Sequence, residues 1–132
     1  MKHIKTYEKN IDGPKIGDYV ICKEKYGSKK SRKFTSKKIG QFIYYEKENI
    51  TINNNANNTF NYIIRYENVT SIMQKEFKET MINLYYIINK DENEIPVKNF
   101  QNCTMMSLNE IKYWAPTKED CEAYIAAKKY NL

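Results

Sequence analysis

The chain has 132 residues, 41% of them hydrophobic, and a formal net charge of +6. That length fits one domain with its own core, and no run of about 18 apolar residues offers a membrane helix. Residues Met1 to Asn10 lack the apolar segment of a secretion signal, so a cytoplasmic location is expected.

Lysine outnumbers arginine twenty to two, and Ile, Lys, Asn and Tyr fill about half of the chain. These four residues have A/T-rich codons, so part of the positive charge reflects base composition. The sequons at Asn49, Asn57, Asn68 and Asn102 follow from the same excess of Asn. Cys22, Cys103 and Cys121 are odd in number and widely spaced, which argues against a disulfide framework and for buried free thiols.

Residues 1 to 15 read as a lead-in arm in which Ile4, Tyr7 and Ile11 form either a short helical face or a strand. Gly13-Pro14 signals a turn. Gly17-Asp18-Tyr19-Val20-Ile21-Cys22-Lys23 then opens a small β-barrel, with Val20 and Cys22 on one face and Tyr19, Ile21 and Lys23 on the other. Residues 23 to 38 hold eight basic residues and one acid, a net +7, so the rest of the chain sums to −1. Gly27, Ser28, Ser31 and Ser36 make this segment a loop between two strands, with Phe34 as the large apolar residue at its centre, placed to pin the loop down.

The second strand, Ile39 to Tyr45, places Phe42 and Tyr44 on the face of Gly40, and its Ile-Gly start marks a bend or a close backbone approach. Thr51-Ile52 can extend it, and the Asn-rich stretch 53–58 is a turn. The third strand, Phe60 to Tyr66, turns Tyr62, Ile64 and Tyr66 to one face and Arg65 away. Apolar residues at 69, 72, 73, 77 and 81 have helical spacing, with Thr70 as cap. Leu84 to Ile88 is a helix end or a strand, residues 90–94 are a solvated turn, and Pro96 breaks any helix there.

Cys103 to Met106 reads as a short strand. Ser107-Leu108-Asn109-Glu110 has the spacing of a capping box, followed by Ile111, Tyr113 and Trp114 in a single turn ended by Pro116. Thr117 caps a final helix to about Lys129, with Glu119 and Asp120 at its positive end, Lys128 and Lys129 at its negative end, and an apolar stripe of Cys121, Tyr124 and Ile125.

Gly17-Asp18-x-Val20-x-Cys22, Ile39-Gly40-x-Phe42 and Tyr62-x-Ile64-x-Tyr66-Glu67 together resemble small SH3-like (KOW-type) barrels. The arm Lys2 to Glu8, the Glu110 to Trp114 stretch and the terminal helix resemble short uncharacterised proteins of AT-rich phages and large DNA viruses. The resemblance implies a mainly β chain with α additions, an α+β fold. One domain, 1–132, would comprise an arm (1–15), barrel strands one to three (16–67), a helical or irregular insertion (68–102), and a last strand, short turn and C-terminal helix packed on the barrel (103–132). It implies no activity, because such barrels host many functions.

The chemistry of most enzyme classes is missing. His3, in the arm, is the one histidine, no Cys-x-x-Cys or His-Glu-x-x-His occurs, and four glycines form no phosphate-binding loop. No catalytic residue, metal or cofactor is therefore expected. The basic segment is the positive signal: Lys29, Lys30, Arg32, Lys33, Lys37 and Lys38 suit a phosphate backbone, and Tyr26 and Phe34 could stack on bases. Against this stands a solvated lysine-rich loop. Tyr19, Tyr45, Tyr85, Tyr86 and Tyr113 are candidates for a protein-interaction surface, or belong to the edge of the core.

Three readings follow. The first is a non-enzymatic binding module of viral type that contacts nucleic acid through the 23–38 loop. The second is a protein-interaction factor, a virion component or an inhibitor of a host defence or host protein. The third is a small hydrolase or nucleotide-binding protein. The expected partners are nucleic acid or a host or virion protein, with self-association through an open strand edge as a further option and no membrane.

Overall fold

In a computed structural model of the chain, residues 13–23, 29–46, 60–81 and 100–130 are described. The arm 1–12 with His3, Tyr26, the 51–58 stretch and residues 84–96 with Tyr85 and Tyr86 lie outside them.

The described residues form an α+β fold. Strands β1 (Tyr19–Cys22), β2 (Gly40–Tyr45), β3 (Tyr62–Arg65), β4 (Cys103–Met106) and β5 (Ile111–Ala115) alternate with helices α1 (Lys29–Lys37), α2 (Ser71–Thr80) and α3 (Lys118–Lys129). The strands make one sheet in the order β4-β3-β2-β1-β5, with every pair antiparallel.

The sheet curls without closing. Its two edge strands are joined by residues 107–110 alone, a 3-10 turn at Leu108–Glu110. Across a flat five-stranded sheet the four gaps would total about 19 Å. The five steps from Met106 to Ile111 reach about 17 Å if fully extended, and a 3-10 turn shortens them further. The sheet must therefore bend towards its own edges. The Cys22 thiol of β1 accordingly meets the Met106 sulfur of β4 at 2.9 Å, although two strands lie between them in the sheet. Among the described residues no ladder joins β4 to β5, so the closed barrel expected from the sequence is an open, curled sheet here.

Both faces are covered. The concave cluster contains Val20, Cys22, Phe42, Ile64, Tyr66, Met106 and Ile111, together with Met73 and Phe77 of α2, and Phe34 of α1 packs against it. On the other face, Ile21 and Ala115 pack on Cys121 of α3, while Ile63, Cys103 and Met105 pack with Phe60, Met81 and Phe100. The expected division of β1 holds, with Val20 and Cys22 on one side and Tyr19 and Ile21 on the other. So does that of β3, where Tyr62, Ile64 and Tyr66 share a face and Arg65 is exposed.

The alternation expected for β2 fails at a bulge. Phe42 pairs with Ile64, but Tyr44 pairs with Ile63, so Ile43 is the extra residue. Tyr44 is thereby turned to the face opposite Phe42, and Tyr45 is set against Tyr62 with ring centroids 5.1 Å apart. A second bulge leaves Lys112 of β5 unpaired and exposed, between Ile111 opposite Cys22 and Tyr113 opposite Ile21.

Two further expectations are corrected. Residues 111–115 are strand β5 and not part of a turn, because their alternate side chains can fill both faces beside β1. Residues 29–37 are helix α1 and not a loop, because Ser31, Phe34 and Thr35 recur at helical spacing and bury one side.

The caps stand as read. The Met73 amide donates to the Thr70 hydroxyl at 3.3 Å and the Asp120 amide to that of Thr117 at 3.2 Å. The Ser107 amide donates to the Glu110 carboxylate at 2.9 Å inside the capping box. Gly17 has φ +101°, the left-handed region that glycine enters without strain, just before β1 begins.

Candidate nucleic-acid interface

Helix α1 is short, and its sequence KKSRKFTSK is poor in strong apolar anchors. Three residues fix it. Phe34 meets Tyr66 edge-on at 5.5 Å and Phe77 at 5.9 Å, and Tyr66 and Phe77 are themselves 6.0 Å apart. Ser31 and Thr35 are buried, and the Thr35 hydroxyl donates to the Ser31 carbonyl at 3.0 Å. That bond to the preceding turn lets a polar side chain face the core without an unsatisfied donor. The Tyr66 hydroxyl donates to the Cys22 sulfur at 3.5 Å, which ties the ring under α1 to β1. Burial pushes the Tyr66 hydroxyl well above its ordinary pKa, with Cys22 and Glu110 adding to the effect, so it stays protonated and can donate.

Because the anchors take one side, the cations take the other. Lys29, Lys33 and Lys37 recur every four residues and form a single row, about 12 Å from end to end. Lys30 flanks the row, Lys38 follows the last turn, and all five are exposed. Arg32 is half-buried at the margin, and its Nε has no hydrogen-bond partner among the described residues. The helix carries no acid at all. The ion pair of Lys118 with Glu67 at 3.5 Å lies elsewhere.

The sequence candidates thus separate. Lys29, Lys33 and Lys37 share the outer side of α1, Lys30 flanks them, Arg32 lies at the margin, and Lys38 is exposed just after the helix. Phe34, read from the sequence both as a ring for base stacking and as the pin of this segment, packs against Tyr66 and Phe77 and anchors the helix.

Of the tyrosine candidates among the described residues, Tyr45 lies apart from Tyr19 and Tyr113. Tyr45, 43% exposed, lies on the concave side against Tyr62. Tyr19 and Tyr113 lie on the opposite face, where Tyr113 stacks on Tyr124 at 4.2 Å and 11°. Burial raises the Tyr113 pKa, helped by Cys121 and Asp120.

The sequence reading missed the straight row, although the spacing of Lys29, Lys33 and Lys37 opposite Ser31, Phe34 and Thr35 could have revealed it. Among the described residues no group of His, Cys, Asp or Glu could hold a metal ion, and no helix is long and apolar enough to cross a membrane. The chain matches no protein-family model, and neither a curated protein nor a solved structure shows significant similarity to it.

Proposed function

We propose that this chain is a non-enzymatic binding module that holds nucleic acid by its phosphates through helix α1. One observation carries the reading: five exposed lysines lie on or just after a nine-residue helix without an acid, three of them in a row opposite its core anchors. Clustered cations release condensed counterions when they meet a phosphate backbone, so such a row gains affinity from salt release and not from shape. Lysine predominates over arginine in the row, which favours backbone contact over bidentate base readout.

The scaffold is read as a small SH3-like barrel. The antiparallel order, the curl and the short 107–110 link between the edge strands support that reading. The protein-interaction reading has less support, since Tyr45 and Tyr113 occupy opposite faces. Pairing of β5 with a second copy is opposed by Lys112, which the bulge leaves exposed on an edge strand.

The test is fluorescence anisotropy of labelled oligonucleotides with the full chain and with a Lys29→Gln, Lys33→Gln, Lys37→Gln variant. The variant is expected to lose binding at low salt while keeping its melting temperature. Binding that survives the triple change excludes α1 as the interface.

A further inference from the structure

The geometry points to double-stranded nucleic acid, held along one strand's backbone without base readout, as the ligand class of α1. The inference rests on the reading of α1 as a phosphate-binding helix and narrows it.

Single-strand binding by proteins combines a basic groove with aromatic side chains on which bases stack. The basic row has the charge without the platform. Its one aromatic residue, Phe34, is turned into the core between Tyr66 and Phe77, and both of those rings are buried. Unstacked bases laid along α1 would meet lysine stems and no ring of the helix itself.

A duplex makes the opposite demand, since its bases are already stacked and its phosphates stand in fixed places. Along one strand's backbone successive phosphates stand about 6–7 Å apart, because they wind about the axis as they rise, so a row of about 12 Å faces two to three of them. Lys29, Lys33 and Lys37 supply a matching number of cations. The row is also rigid where it needs to be. Ser31, Phe34 and Thr35 fix its underside to β1 and α2, and only the flexible lysine stems must be ordered on binding. Base readout has little to work with, because Arg32 is the one guanidinium of the helix and is half-buried at its margin.

The experiment compares a short DNA duplex with an oligo(dT) strand of the same length, each titrated with the full chain from about 50 to about 200 mM salt. Three phosphate contacts give a slope of about −2.7 in log affinity against log salt for the duplex, a loss of about 40-fold over that range. The duplex is expected to bind at least about tenfold tighter than oligo(dT) at low salt, and two duplexes of unrelated sequence to bind within about threefold of each other. Lys33→Gln is expected to lower the duplex slope by about 0.9.

Tighter binding to oligo(dT) than to duplex overturns this inference and leaves the phosphate-binding reading of α1 standing. A strong preference between the two duplexes overturns the absence of base readout. No binding to either probe at low salt overturns the phosphate-binding reading itself.

Discussion

Phe34 meets Tyr66 edge-on with ring centroids 5.5 Å apart, and this contact joins the most basic of the described helices to the concave cluster. Tyr66 is almost wholly buried, whereas Phe34 is half-buried, so the contact is where the charged surface enters the core. Phe34→Ala removes the one large apolar anchor of α1. Such truncations cost about 3 kcal/mol or more at fully buried sites, and about 2 kcal/mol is expected at this half-buried one. Urea unfolding followed by tyrosine and tryptophan fluorescence measures it. A variant as stable as the parent would mean that α1 is not held by this ring.

The N-terminal turn of α1 runs against local electrostatics. Lys29 and Lys30 sit where the helix dipole favours an acid, and no acid is present in that turn. Lys29→Glu is therefore expected to raise the melting temperature by about 2 °C while weakening oligonucleotide binding. Opposite signs in the two measurements are what a residue kept for binding gives. A lower melting temperature with unchanged binding would make Lys29 structural.

Gly40, the first residue of β2, packs directly beneath the side chains of Ile64 and Tyr66. A Cβ built there would collide with Ile64 Cγ2 and would stand 2.8 Å from Tyr66 Cζ. Neither can retreat, since both are buried in the concave cluster. Gly40→Ala is expected to cost about 2 kcal/mol through overpacking, the usual size for an added methyl in a filled core. It should also disturb the ring on which Phe34 rests, so near-ultraviolet circular dichroism should change with it. An unchanged unfolding midpoint would show that the two side chains can move aside.

The Ile-Gly approach at Gly40 was legible in the sequence, as were β1, β3, β4 and the caps at Thr70, Ser107 and Thr117. Each depends on residues close in the chain. The bulge at Ile43 was not legible, because a register shift is set by the partner strand and leaves no mark in the period of β2. Strand β5 was hidden for a related reason: Ile111, Tyr113 and Trp114 follow a helical cap and precede Pro116, and only pairing with β1 straightens them. Helix α1 was obscured by its serines, which read as loop residues until Ser31 is seen buried and Thr35 bonded back to it. The basic site was therefore visible as composition but not as a row.

Glu110 is buried at the bridge between the two sheet edges, where its carboxylate accepts from the Ser107 amide at 2.9 Å. Glu110→Ala leaves that buried donor unmatched and removes the capping box, at an expected cost of about 2 kcal/mol. Glu110→Gln can still accept from the amide and should recover about half of the loss. Equal losses for the two variants would assign the effect to charge and not to the cap.

The last prediction concerns alkaline pH. Burial pushes the Cys22 thiol from 9.0 up to about 12, against the lowering effect of its bond from Tyr66. Burial likewise lifts Cys103 to about 11, with Arg65 pulling the other way, and raises the Tyr66 hydroxyl well above its ordinary value. For each group the folded chain holds its proton more tightly than the unfolded chain does. Above pH about 9 the unfolded state therefore binds fewer protons than the native state, and stability falls as pH rises. The contribution is complete below the ordinary values and is lost progressively as pH climbs towards those of the folded chain. Urea midpoints between pH about 8 and about 11 should decline steadily, and Cys22→Ala, which removes one of the three groups, should make the decline shallower. The same burial predicts that the thiols resist a disulfide reagent in the native state and react once urea unfolds the chain, since all three cysteines are buried. A flat stability profile across that range, together with rapid native-state labelling of Cys22, would show that the thiol reaches water and that the concave cluster opens readily.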